Sequence, residues 1–236
     1  AILSTLAIAG AVAATVAARN GVIAVEFENL DVAMRNFKIA APSSIGYPPD
    51  GTDGAVAVEA YVNAIFPNRV ASQDASTGID IHTGNRISAD LADLDPSEAL
   101  YFWLGGFGQD PQHPLSGATR KSPLFDFDPL RLKDNDGDGW LEYQPKYCQG
   151  APYMYFCNRT YSTASYAHHN GGMARPYQSD VALVEFAQDN QFQIIAAGQD
   201  GDFGGGGSFP SGAGYHPADH DNITNFSEGT LANHIR

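Results

Sequence analysis

The chain has 236 residues, enough for one large domain or a smaller one with an extension, and 43% of them are hydrophobic, so a core can form. It carries 13 Lys and Arg against 27 Asp and Glu, a formal net charge of −14, which excludes a nucleic-acid surface and a basic patch for anionic lipid. An acidic excess serves either a well-hydrated surface or carboxylates gathered around a hard cation, and the second use needs clusters.

Residues 1–18, AILSTLAIAGAVAATVAA, contain no charge. As a helix this run is ~27 Å long, just under the ~30 Å hydrocarbon core of a bilayer. It opens without Met or a basic segment, so preceding residues, removed by processing or not, are expected. Three readings compete: the apolar region of a signal peptide, with Ala11-Val12-Ala13 as its small-residue pattern; a single-pass anchor; or a membrane-crossing helix that continues into a folded head. Residues 22–39 decide for the third. Ile23, Phe27, Leu30, Met34 and Phe37 recur at helical spacing, while Glu26, Asn29, Arg35 and Lys38 fall mostly off that stripe. Only Arg19-Asn20-Gly21 interrupts the pattern, and Pro42-Ser43-Ser44 ends it. The prediction is one helix of about forty residues, apolar in its first half and amphipathic in its second. Gly10 and Gly21 are points where it can bend, each weaker than Ala by about 1 kcal/mol.

The apolar run, the VEFENLDVAMRNFKIA that follows and the turn Tyr47-Pro48-Pro49-Asp50 together resemble type IV pilins and type II secretion major pseudopilins. The resemblance implies a processed, methylated N-terminus, an inner-membrane pool, and assembly by pilus or type II secretion machinery. That family's Phe-Thr-Leu-x-Glu start is not among these residues, so neither the processing site nor the intersubunit glutamate is assigned to any residue.

After a Gly-, Pro- and Asp-rich loop at 46–54, residues 55–121 read as mixed structure with one clear helix. Asp95-Pro96-Ser97-Glu98 offers an N-cap, a Pro at the first position and a Glu at the third; Ala99 to Leu104 supplies the buried turn, and Gly105-Gly106 closes it. Strand signals lie at 124–127, 152–156 and 192–197, whereas 181–187 fits either state. The low-complexity piece at 201–214 lacks the Lys-Ser/Thr of a phosphate loop and reads as a flexible surface loop. Cys148 and Cys157 are either two unrelated thiols or a local disulfide. The turn-forming Gln149-Gly150-Ala151-Pro152 between them favours the bridge, in an oxidising compartment. The resemblance continues here: Gly150-Ala151-Pro152-Tyr153-Met154-Tyr155 is similar to the Gly-x-Pro-Tyr-x-Tyr strand of major pseudopilins. Residues 99–142 resemble large pilin-like proteins of planctomycete-type bacteria.

Two acidic groups carry the chemistry. Asp134, Asp136 and Asp138 with Gly139 place carboxylates at positions 1, 3 and 5 and Gly at 6 of an EF-hand-type loop; position 12 is Pro145, so Glu142 at position 9 is the candidate substitute ligand. The second group joins Asp200 and Asp202 to Asp219 and Asp221 across the glycine segment. FQIIAAGQDGD and DHDNITNF resemble the entry and exit of the pseudopilin calcium loop, which implies Ca²⁺ stapling that loop shut. His216 and His220 beside Asp219 and Asp221, and the pair His168-His169, are rival metal ligands that lack the helix and third ligand of a zinc hydrolase. No Gly-x-Ser-x-Gly elbow occurs.

The sequence thus predicts an α+β, pilin-like fold: a stalk at 1–41 and an acidic calcium-binding head at 42–236, with the second half of the stalk packed on an antiparallel sheet. Leu3, Leu6, Ile8, Val12, Val16, Ile23, Phe27, Leu30, Met34 and Phe37 are the candidate filament-core positions. The function expected is assembly of a homo-oligomeric helical filament at the cell surface, without enzymatic activity or nucleic-acid binding. The alternatives are a membrane-anchored calcium-binding adhesin that does not polymerise and a calcium-stabilised periplasmic hydrolase.

Overall fold

The structure, a computed structural model, describes residues 2–79, 86–117, 121–148, 150–168, 172–180 and 182–235. Helix α1 (Ile2–Ala40) runs through Gly10 and Gly21 without a break. It stops before Pro42, where the Lys38 ammonium reaches the carbonyls of Pro42 and Ile45. Then follow α2 (Ala55–Ile65), the hairpin of β1 (Thr77–Ile79) and β2 (Arg86–Ser88), α3 (Ala99–Leu104), and the pair β3 (Leu132–Lys133) and β4 (Glu142–Tyr143). The rest comprises β5 (Met154–Cys157), β6 (Tyr166–Ala167), β7 (Met173–Ala174), β8 (Gln178–Asp180), β9 (Glu185–Phe186), β10 (Phe192–Ala196) and β11 (Ile223–Thr224).

The central sheet has the order β11-β10-β5, antiparallel throughout, with Ile194 opposite Tyr155 and Ile195 opposite Met154. Its two faces are both covered. Tyr153, Tyr155, Cys157, Phe192 and Ile194 face the stripe of α1, while Met154, Phe156 and Ile195 pack with Tyr177, Phe203 and Leu231. Burial on both sides leaves no polar alternation, which is why β5 and β10 read as continuous apolar runs. Ile23, Phe27, Leu30, Met34 and Phe37 are buried, and by area this stripe contributes on the order of 10 kcal/mol as an upper figure. Phe27 meets Tyr153 edge-on with ring centres 5.2 Å apart.

The Tyr-Pro-Pro-Asp segment braces this packing from within. Tyr155 donates its hydroxyl to the Pro48 carbonyl at 2.8 Å and the Trp103 indole donates to that of Pro49 at 2.7 Å. Asp50 accepts from the Cys157 amide at 2.9 Å.

The structure departs from the sequence reading at several points. Residues 124–127 form no strand; Phe125 and Phe127 instead pack as an aromatic pair against Tyr143. Helix α2, whose valines masked it, buries Val58, Tyr61 and Val62. The glycine segment is packed and hydrogen-bonded: Phe203 is buried in it, and Asn222 donates to the Phe203 carbonyl at 3.0 Å. The stalk–head boundary at 41 is not a packing boundary, since the head's core begins at Ile23 within α1.

Candidate functional site

The acidic turn at 134–138 folds because each aspartate holds a nearby backbone amide. Asp134 accepts from Gly137 at 2.8 Å, and Asp138 from Trp140 at 2.8 Å. One oxygen from each of Asp134, Asp136 and Asp138 then lies within 4.8 Å of the others, as the loop pattern predicts. A second group forms around the same Asp136: Asp95 and Glu98, which the sequence marked only as a helix cap, lie within the same distance of it and of each other. The cap itself is present, with the Ser97 amide donating to Asp95 at 2.7 Å and the Asp95 amide to Glu98 Oε2 at 3.1 Å. Glu142, on β4, is fully buried beside this centre and accepts from Asn135 and, at 3.3 Å, from the Ser97 hydroxyl.

Glu98 is 1% exposed, and no donor reaches its Oε1; the carboxylates of Asp95, Asp138 and Asp136 are the charges that act on the group. Burial, reinforced by those charges, pushes the Glu98 carboxyl up to about 11. Burial likewise raises Glu142 to about 7 and Asp138 to about 6. Among the described residues, none of the ion pairs involves these six carboxylates.

The C-terminal carboxylates behave differently. Asp219 is fully buried and its oxygens accept from the Tyr177 hydroxyl at 2.7 Å, the Gly206 amide at 3.0 Å and the His216 amide at 2.7 Å. Asp221 accepts from the amides of Gln199 and Asp200, and Asp200 and Asp202 each hold the amide two residues on, those of Asp202 and Gly204. Among the described residues these four aspartates do not converge within 4.8 Å of one another, and Asp221 Oδ1 is buried without a hydrogen-bond partner. His216 caps the short helical turn at 217–221 through the Ala218 amide, so it and His220 form no metal set with their aspartates. His168 is buried, and His169 lies outside the described residues.

The disulfide is also corrected: Cys148 and Cys157 are separate thiols. Cys157 is buried on β5 against the Tyr47 carbonyl, at 3.6 Å, on the helix-facing side of the sheet. Burial raises both thiols, Cys157 to about 11 and Cys148 to about 12.

Compared with protein-family models, curated proteins and solved structures, the chain matches none.

Two features of α1 complete the site. Glu26, which the sequence placed off the stripe, is the polar lock between stalk and head. Arg131 grips it with two bonds of 2.7 and 2.6 Å, and the hydroxyls of Tyr143 and Tyr153 donate to it at 2.9 and 2.6 Å. At 100° per residue, Glu26 lies about 60° from Ile23, at the edge of the stripe, and that was the signal available in the sequence. Towards the N-terminus no side chain at 10–22 is buried: Val12 is 58% exposed and Val16 half-buried, while Asn20 accepts from Gln199 at 3.4 Å and Arg19 lies over the Tyr147 ring. Leu3, Leu6 and Ile8 lie in a part of α1 whose side chains fall outside the description. Ile23, Phe27, Leu30, Met34 and Phe37 are buried in their own head, so they are not available as a filament core.

Proposed function

We propose that the chain is a structural subunit of an extracellular type IV pilus-like or type II secretion pseudopilus-like filament, with a pilin-like fold and no enzymatic role. The observation that carries this reading is the division of α1 into a half buried in the head and a half, 10–22, with no buried side chain and only edge contacts from Asn20 and Arg19 to the head. Water does not tolerate such a length of apolar helix, and α1 is long and apolar enough to cross a membrane. The residues there are mainly Ala and Gly, with three Val, a Thr, and Arg19-Asn20 near the end. Lipid contact does not call for small side chains, whereas close helix–helix packing does. The stalk accordingly sits in the inner membrane as a monomer and moves into a filament core where stalks cover one another. Heads of high negative charge form the hydrated outside.

The test is assembly of the full chain on removal of detergent, followed by sedimentation and electron microscopy. Ala13→Asp places an unpaired carboxylate in the packed core, at several kcal/mol per subunit on the order of magnitude for a buried charge. Wild type is expected to sediment as ordered filaments and Ala13→Asp to remain in solution. Equal assembly of both rules out 10–22 as the core. Wild type that enters liposomes as monomers and never assembles supports an anchored adhesin instead.

A further inference from the structure

We propose that the head binds one calcium-type divalent cation between the entry of α3 and the acidic turn, held by Asp95, Glu98 and Asp136, with Asp134 and Asp138 as further donors around the shared Asp136. The site is a long-range one, joining residues 95 and 98 to residue 136, and differs from a self-contained turn loop.

Three observations carry it. The ligand oxygens of each triad lie within 4.8 Å of one another, the span that two oxygens on opposite sides of one ion occupy at ~2.4 Å each. The donors are all carboxylate oxygens, the set that a hard cation with variable geometry takes. Glu98 Oε1 points among them from a buried position, with no protein donor to meet it. Buried carboxylates normally find such donors: Asp50 and Asp219, equally buried in this head, are fully supplied with amides and hydroxyls. Glu98 Oε2 has its amide, and Oε1 has no hydrogen-bond partner. A bound cation supplies the missing partner and removes the repulsion among the acids at one stroke.

Placement gives the site a consequence. α3 carries Phe102, Trp103 and Leu104 into the core shared with α1, and Trp140 follows the acidic turn and packs edge-on against Phe102 at 5.2 Å. The cation therefore ties the central helix of the head to the turn that leads into β4.

The experiment uses the full chain in detergent micelles, stripped with chelator, and titrated with CaCl₂ by calorimetry and with TbCl₃ by luminescence sensitised through Trp140. Glu98→Gln retains the shape of the cap and an acceptor for the Asp95 amide, and Asp136→Asn changes an exposed residue, so both variants are built to fold. The expected result is one calcium per chain with sensitised terbium emission, weakened at least tenfold in either variant and unchanged in Asp200→Asn. In chelator, Glu98→Gln is expected to melt no lower than wild type, because the amide keeps the acceptor for the Asp95 amide and offers N–H donors to the surrounding carboxylates. Three results overturn the proposal: no saturable calcium binding by wild type, binding that both variants keep, or binding that Asp200→Asn abolishes.

Discussion

Replacing Glu26 by alanine removes the one carboxylate that, among the described residues, pairs with the Arg131 guanidinium, together with the acceptor for two buried tyrosine hydroxyls. The side chains of Arg131 and Glu26 are 16% and 13% exposed, so the pair is largely but not wholly dry. Breaking one partner out of a buried pair costs about 3–5 kcal/mol. Two contacts soften the loss: Arg131 keeps its bond to the Gln144 carbonyl at 2.8 Å, and its charge stays 4.3 Å from the Tyr143 ring centre. The lower end of the range therefore applies, about 3 kcal/mol, or roughly 6–10 °C in melting temperature for a chain of this size. The assay is thermal and urea unfolding of the full chain in micelles, for Glu26→Ala, Arg131→Met and the double variant. The two losses should be strongly non-additive, with a coupling of at least about 1.5 kcal/mol, because the second change removes a charge already stranded by the first. A loss below about 0.5 kcal/mol in Glu26→Ala, or additivity in the cycle, refutes the view that Glu26 locks stalk to head.

Intact-mass measurement after alkylation under denaturing, non-reducing conditions should count two free thiols, and both should alkylate slowly in the folded protein at neutral pH; one bridge and no modified cysteine contradicts the separate placement of Cys148 and Cys157. Without calcium, the head should lose stability as pH rises from 5 to 8. The carboxyl of Glu142 is raised from its ordinary value to about 7, so the folded state holds its proton through a window in which the unfolded chain has released it, and that contribution fades as pH approaches and passes 7. The effect, on the order of a few kcal/mol, should shrink in Glu142→Gln; a melting temperature flat over this range in wild type contradicts it. Gly204→Ala should destabilise by more than about 2 kcal/mol, because φ is +69° and a Cβ would lie 2.5 Å from the Asp219 carboxyl. Gly137→Ala, also at positive φ but with nothing within 4 Å, should lose only about 1 kcal/mol; equal losses would show that the glycine segment is not packed on Asp219.

The long helix, the buried stripe from Ile23 to Phe37 and the two central strands were legible because periodicity and apolar run length are local properties. What was not legible depended on partners distant in sequence. Glu26 reads as a solvated residue until Arg131, Tyr143 and Tyr153 arrive from over a hundred positions away. The aspartates were ambiguous for a chemical reason. Carboxylates at alternate positions suit a cation loop, but an aspartate also accepts readily from the amide two residues on. Asp90, Asp128, Asp180 and Asp200 all do this here. The pattern at 134–138 therefore read correctly as a cluster, while the aspartates at 200–221 stand further apart and hold backbone amides and the Tyr177 hydroxyl. Asp95 and Glu98 were seen as a cap and are one, yet a capping side chain has a second oxygen, and the sequence does not say where that oxygen goes.

The half of α1 without buried side chains is the feature on which the filament reading rests, and helical reconstruction of assemblies formed by the full chain examines it most directly. The prediction is a filament in which residues 10–22 of neighbouring subunits pack together along the axis, with the three-stranded sheets and acidic turns outside. Heads at the centre with stalks splayed outwards, or the absence of any helical assembly when the chain leaves detergent, would contradict it.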